Sequence, residues 1–152
     1  MSQSELAIDQ YIRSTWLAVQ KMYNEQASKF NSTMVTGFTL LSIDPKKGTP
    51  STSLGPKMGI EPTSLSRTLK NLEERGLIVR EPNPEDGRSV LIVLTDEGLE
   101  MRDVSKDVVL SFYEAINDRI SPEELKVFFT VLQKINAIAS DKKTFKKKKE
   151  LQ

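Results

Sequence analysis

Thr63, Arg67, Lys70 and Glu74 lie on one side of a helical wheel turned by 100° per residue, with Ser64 and Asn71 flanking them. Most of these side chains suit the edges and backbone of a nucleic acid. Arginine pairs with guanine and asparagine with adenine, and hydroxyls serve either a base or a phosphate. On the other side Leu65, Leu69 and Leu72 recur at i, i+4 and i+7, a narrow apolar stripe that must face a core. Ser66 sits beside that stripe, where it either touches DNA or permits close packing. Pro62 stands where a first helical turn tolerates proline, and Gly76 where a helix end wants φ > 0, so the spacing predicts a bounded helix over 61–76. The chain then reads as two strands, Leu77–Glu81 and Ser89–Leu94, joined by Pro82, Asn83, Pro84, Asp86 and Gly87. Arg88 stands at the tip of this hairpin, and Asp86, two residues earlier, is placed to orient it. A carboxylate repels phosphate, so Asp86 is read as a support and not as a contact.

Other chemistries find little here. The 152 residues contain no His and no Cys, which removes the commonest general base, the commonest metal ligand and the thiol nucleophile. No enzyme, cofactor or metal site is expected. Gly48-Thr49-Pro50-Ser51-Thr52-Ser53 lacks the Gly-Lys-Ser/Thr ending of a phosphate loop. It reads instead as a helix start, with Thr49 as N-cap and Pro50 in the first helical position, and the hydroxyls of Thr49, Ser51 and Thr52 are candidate phosphate contacts. This helix should end near Gly59. Pro56, following Gly55, removes one backbone bond and crowds the carbonyl of Thr52, which predicts a short or kinked element.

The elements that must position these groups are legible from periodicity. Leu6, Ile8, Ile12, Trp16, Val19, Tyr23, Ala27 and Phe30 keep helical spacing over residues 5–30. A buried helix is expected over 35–43, ended by a turn at 45–48. Thr95 caps a helix running through Leu99 and Ile116, and Ser121-Pro122-Glu123-Glu124 is a capping box for the last helix. Trp16 and Tyr23 are read as core and not as a ligand box. The length suits one domain, mainly α with a small β-hairpin wing: a winged helix-turn-helix over 35–98 between long helices at 5–30 and 99–140. Those outer apolar stripes have too few partners in one chain, which points to a two-fold homodimer. The net charge of +1 hides a division. Six lysines against Glu150 give the segment 142–152 a charge of +5, leaving −4 for residues 1–141. The tail from 141 is expected to be a solvated, disordered end or a non-specific phosphate contact. No apolar run is long enough for a signal peptide or a membrane span, so a cytoplasmic protein without membrane partners is the default.

In order and spacing, Ser66-Arg67-Thr68-Leu69, Leu72-Glu73, Gly76-Leu77-Ile78-Val79-Arg80, Asp86-Gly87-Arg88 and Leu94-Thr95-Asp96-Glu97-Gly98 form a specific signature. It resembles the multiple-antibiotic-resistance regulator (MarR) family of bacterial winged-helix transcription factors, and the resemblance extends over roughly residues 5–140. The resemblance implies a sequence-specific regulator of double-stranded DNA, a homodimeric repressor with interleaved terminal helices. It further implies that Arg88 enters the minor groove, that a small-molecule effector occupies a cleft between dimer helices and winged domain, and that Gly55-Pro56 departs from the family pattern. Cysteine-based redox sensing, found in part of that family, is excluded in these residues. The alternative function is a winged-helix module that pairs with another protein and does not read DNA.

Overall fold

A computed structural model of the chain describes residues 3–146. In chain order the elements are α1 (Gln3–Ser28), α2 (Met34–Ser42), β1 (Thr49–Pro50), α3 (Ser51–Met58), α4 (Pro62–Glu74), β2 (Ile78–Pro82), β3 (Val90–Leu94), α5 (Asp96–Asn117) and α6 (Pro122–Ser140). The chain divides into two compact units, Met1–Leu110 and Ser111–Gln152, so α5 belongs to both.

The first unit holds the core. Leu40 and Ile43 from α2, Leu54 from α3, the three leucines of α4, and Leu77, Ile78, Ile92 and Leu94 of the hairpin form one buried cluster. The antiparallel sheet has the order β1-β3-β2, and Arg80 pairs with Ile92 in its middle. Its two-residue strand β1 escapes a sequence reading, because two residues carry no period. It also changes the role expected of Thr49. Instead of capping α3, Thr49 pairs with Ile92, and its buried hydroxyl accepts the Asp44 N–H at 2.8 Å. Pro50 takes the N-cap position and makes no side-chain cap bond.

Where β3 runs into α5 the chain is knotted to the end of α4. The Thr95 hydroxyl donates to the Gly76 carbonyl at 2.6 Å and accepts the Gly98 N–H at 3.0 Å, while the Thr95 N–H reaches the Leu77 carbonyl at 3.1 Å. The cap expected at Thr95 is therefore made. Gly98 lies so close to the same carbonyl that a Cβ there would stand 1.9 Å from the Leu77 oxygen.

In the second unit Ser121 and Glu124 close the expected capping box, each side chain accepting the other's backbone N–H. Those bonds from Ser121 hold the Glu124 carboxyl below the usual carboxylate range. Beyond the box, α6 buries no residue at all: Val127, Phe128, Phe129 and Ile138 are half or more exposed. Trp16 on α1, read as core, is 47% exposed in the single chain, whereas Tyr23 is buried and meets Phe38 edge-on at 5.2 Å. Of the lysine-rich tail, Asp141–Lys146 make a turn in which the Thr144 hydroxyl donates to the Ile138 carbonyl at 2.9 Å. The rest of the tail, 147–152, expected to be disordered, lies outside the described residues.

The approach at Gly98 gives a direct expectation. Gly98→Ala must push α5 from the hairpin base, and urea denaturation should show a loss of about 2–3 kcal/mol. An unchanged midpoint would mean that α5 can shift without cost.

Candidate nucleic-acid interface

The helix α4 is held by its apolar stripe and released at both ends by backbone chemistry. Leu65, Leu69 and Leu72 are all buried, and Pro62 occupies the first turn. At the other end Arg75 is the C-cap and Gly76 turns left-handed at φ 72. The Gly76 N–H then bonds the Glu73 carbonyl and the Leu77 N–H bonds that of Leu72, both at 3.0 Å. This paired closure satisfies two orphan carbonyls and drops Leu77 onto the core beside Leu72. Because the core side is fixed, the opposite face must stay in solvent. Thr63, Ser64, Ser66, Arg67, Lys70 and Asn71 are all exposed.

The supporting helix α3 has eight residues, as short as its proline predicts. Pro56 points to solvent, while Leu54 is fully buried and Gly55 lies against Leu65 of α4. A Cβ at Gly55 would meet the Ile60 carbonyl and the Leu65 side chain at 3.6 Å, an ordinary contact, so space alone does not demand glycine. Gly59, left-handed at φ 66, ends the helix, and the Gly59 and Ile60 N–H groups both reach the Gly55 carbonyl. Of the three hydroxyls at the start of α3, that of Thr49 is engaged with Asp44, Ser51 is half-buried and Thr52 is exposed.

The wing is tied at its tip by side chains bonding to nearby backbone. Asn83 donates to the Ser89 hydroxyl at 2.8 Å and accepts the Glu85 N–H at 3.1 Å. Asp86 accepts the backbone N–H of Arg88 at 3.0 Å. The expected support of Arg88 by Asp86 thus works through the main chain and not through the guanidinium, which is a local turn of the kind short carboxylates favour. Arg88 itself is exposed. The wing base is joined to α4 by an ion pair, Arg80 Nε to Glu73 Oε2 at 3.1 Å, with both side chains well exposed. Such a pair contributes little to stability, but it spans the strand and the helix that would have to act together.

A feature absent from the sequence reading lies beside α4. Ser64, Arg67, Thr68, Asn71 and Arg75 follow one another along one edge of the helix and form a wall of an open groove. The facing wall is the α1–α2 turn and the first residues of α2, and the Arg75 Nη2 donates across to the Asn31 carbonyl at 2.9 Å. No local sequence signal pairs residues 44 apart. On the other side of the same turn lies a small, half-open cavity of about 30 Å³, bounded largely by apolar side chains that include Tyr23, Phe30, Met34, Phe38, Met101 and Val104. Among the described residues no group of acidic, His or Cys side chains could hold a metal ion, and no helix is long and apolar enough to cross a membrane.

Comparison with known proteins follows the same lines. A family model described as the MarR family matches residues 33–90. An uncharacterized HTH-type transcriptional regulator of Bacillus subtilis, YdgJ, is 34% identical over 79 residues, covering 52% of this chain and 48% of that protein. The chain thus spans about half the length of that relative. Two solved structures share the fold. The PcaV transcriptional regulator of Streptomyces coelicolor, in complex with its natural ligand, gives a TM-score of 0.77 at 21% identity, covering 92% of this chain and 99% of that one. A mutant MarR of E. coli complexed with operator DNA gives 0.75 at 22%, covering 89% and 99%.

The wing geometry can be checked by itself. Asp86→Ala should release the Arg88 amide and speed its hydrogen exchange severalfold, while Asp86→Asn, which keeps an acceptor oxygen, should not. Equal exchange in both variants would show that the turn holds without the carboxylate.

Proposed function

We propose that the protein, whose residues 33–90 match the MarR family model, is a regulator of that family: a sequence-specific transcriptional regulator of double-stranded DNA, a cytoplasmic repressor that acts on a palindromic operator as a homodimer and answers to a small-molecule ligand. One observation carries this reading: a helix pinned by three buried leucines turns six exposed polar side chains outward and is followed at once by a wing with Arg88 exposed at its tip. In this reading α4 enters the major groove, where Arg67 and Asn71 meet base edges and Thr63, Ser64, Ser66 and Lys70 meet bases or phosphates. Arg88 enters the minor groove, with Ser51 and Thr52 toward the backbone. The protein acts by binding, without catalysis.

The dimer is supported by the apolar faces that one chain leaves open. Ile8, Tyr11, Ile12 and Trp16 on α1, and Val127, Phe128 and Phe129 on α6, are each at least two-fifths exposed. A second copy of the chain is the economical cover for both, and symmetry would then place two copies of α4 on successive half-sites. The ligand is assigned to the half-open apolar cavity. No charged side chain lines it, and the Ser32 hydroxyl on its wall is buried without a partner among the described residues. That wall suits an uncharged, largely apolar molecule with one hydrogen-bonding group, and at about 30 Å³ the cavity must widen to admit one.

Two measurements test the proposal. Light scattering at micromolar concentration should give twice the mass of the 17.2 kDa chain, and a clean monomer would sink the dimer. In anisotropy titrations against the DNA flanking its own coding sequence, Arg67→Ala should cost about 1–3 kcal/mol per half-site and relax base preference there. Arg88→Ala should weaken binding in proportion to local A·T content. If no duplex from that region binds better than random DNA, the regulator reading fails.

A further inference from the structure

The wing tip carries the one Asp-Gly step of the chain, Asp86-Gly87. An aspartate before glycine can close its carboxyl on its own main chain, because the next peptide nitrogen has no adjoining side chain to obstruct the approach. The fold brings the two groups together. Asp86 accepts the Arg88 N–H at 3.0 Å, so its side chain folds back over the intervening peptide and sets Cγ beside the Gly87 nitrogen. The main chain on either side is held: the Asp86 carbonyl accepts the Ser89 N–H at 3.2 Å, and Asn83 donates to the Ser89 hydroxyl at 2.8 Å. The Gly87 N–H itself finds no acceptor among the described residues.

Access is also open. A Cβ on Gly87 would meet nothing within 4 Å, and Asp86, Gly87 and Arg88 are all exposed to water. Other aspartates lack this combination. Asp44 precedes Pro45, which has no N–H to lose. Asp103 and Asp107, inside α5, precede Val104 and Val108, whose N–H groups are spent in the helix and whose branched side chains crowd the nitrogen.

We propose that Asp86 is a site of spontaneous isomerisation, closing on Gly87 to a cyclic imide and reopening as isoaspartate, and that this change releases Arg88 from the turn. The Gly87 nitrogen attacks Cγ and a C–N bond forms. One carboxylate oxygen leaves as water, carrying the amide proton and a proton from solvent. The imide has no charge where Asp86 had one. Water then opens the ring, and a proton returns to solvent. Breaking the bond from nitrogen to Cγ restores aspartate, whereas breaking the bond to the main-chain carbon leaves Gly87 joined through Cγ, with a free α-carboxylate and a backbone longer by one methylene. Only water enters and leaves. In the product the oxygen that received the Arg88 N–H belongs to a main-chain peptide, and the carbonyl that received the Ser89 N–H has become a carboxylate. Both bonds that shape the tip are altered. The effect on DNA rests on the regulator reading, whereas the covalent change does not.

The test ages the full chain at neutral pH and body temperature for several weeks, beside a synthetic peptide of residues 80–91. Isoaspartate is located by peptide mapping and counted by methyl transfer from an isoaspartyl methyltransferase. Label should build up at residue 86 faster than at any other aspartate, at a rate comparable with that in the peptide. A rate more than about tenfold below the peptide would mean that the fold protects the step, and overturns the proposal. Gly87→Ala fits without strain, since Gly87 has open space and no positive φ, and it should slow the reaction about tenfold. An undiminished rate in that variant overturns the proposed route through the Gly87 nitrogen. In the aged chain the Arg88 amide should exchange hydrogen severalfold faster than in the fresh chain, and unchanged exchange where isoaspartate has formed overturns the release of Arg88. Aged protein should also bind an A·T-rich duplex from the flanking DNA more weakly than fresh protein, with no such loss in aged Gly87→Ala. If fresh protein binds no duplex, the regulator reading falls, and methyl label and amide exchange still decide the fate of Asp86.

Discussion

A single carbonyl group organises the half of this chain that holds α4 and the hairpin. The Leu77 carbonyl accepts the Thr95 N–H and is approached so closely by Gly98 that no side chain fits there. One residue earlier the Gly76 carbonyl takes the Thr95 hydroxyl, and the Leu77 N–H is already committed to Leu72 in α4. The end of α4, both strands of the wing and the start of α5 therefore meet within a few ångströms, joined by backbone groups that have no alternative partner once buried. The angle between helix and wing follows from this junction and not from surface charge. The exposed Arg80–Glu73 pair can only trim it.

The parts of this arrangement that were legible in the sequence are those fixed by a short local rule. Three leucines at helical spacing, a proline at one end and a glycine at the other define α4, since propensity, capping and burial agree there. Thr95 as cap and the Ser121–Glu124 box were likewise readable, because a cap is a relation between residues three apart. The failures have the opposite character. Thr49 looks like a cap by type, but its oxygen is claimed by Asp44 from the preceding turn, and its backbone pairs with Ile92, 43 residues away. Asp86 was readable as a support for Arg88, but its reach is short, so the nearer backbone N–H takes its oxygen in place of the guanidinium.

The groove edge of α4 was not legible at all, because half of it is contributed by a turn whose position depends on how α1 and α2 pack. The same limit applies to Trp16. Its type predicts burial, yet in one chain nearly half of its surface is open, so whatever covers it comes from outside the residues that the periodicity describes. Sequence periodicity marks which face is apolar, and it does not say which molecule supplies the other side.

The wing has a mechanical consequence. Its base is clamped by the Gly76–Thr95 junction and its tip is cross-linked by Asn83, Asp86 and Ser89, so each end behaves as a stiff piece. Between them β2 is an edge strand whose outer residue, Pro82, has no N–H to give, and β1 backs β3 only opposite Leu91 and Ile92. Compliance is thus concentrated around the Pro82–Val90 pair. Bending at that rung would move Arg88 while leaving the buried cluster of α4 and the hairpin base in place.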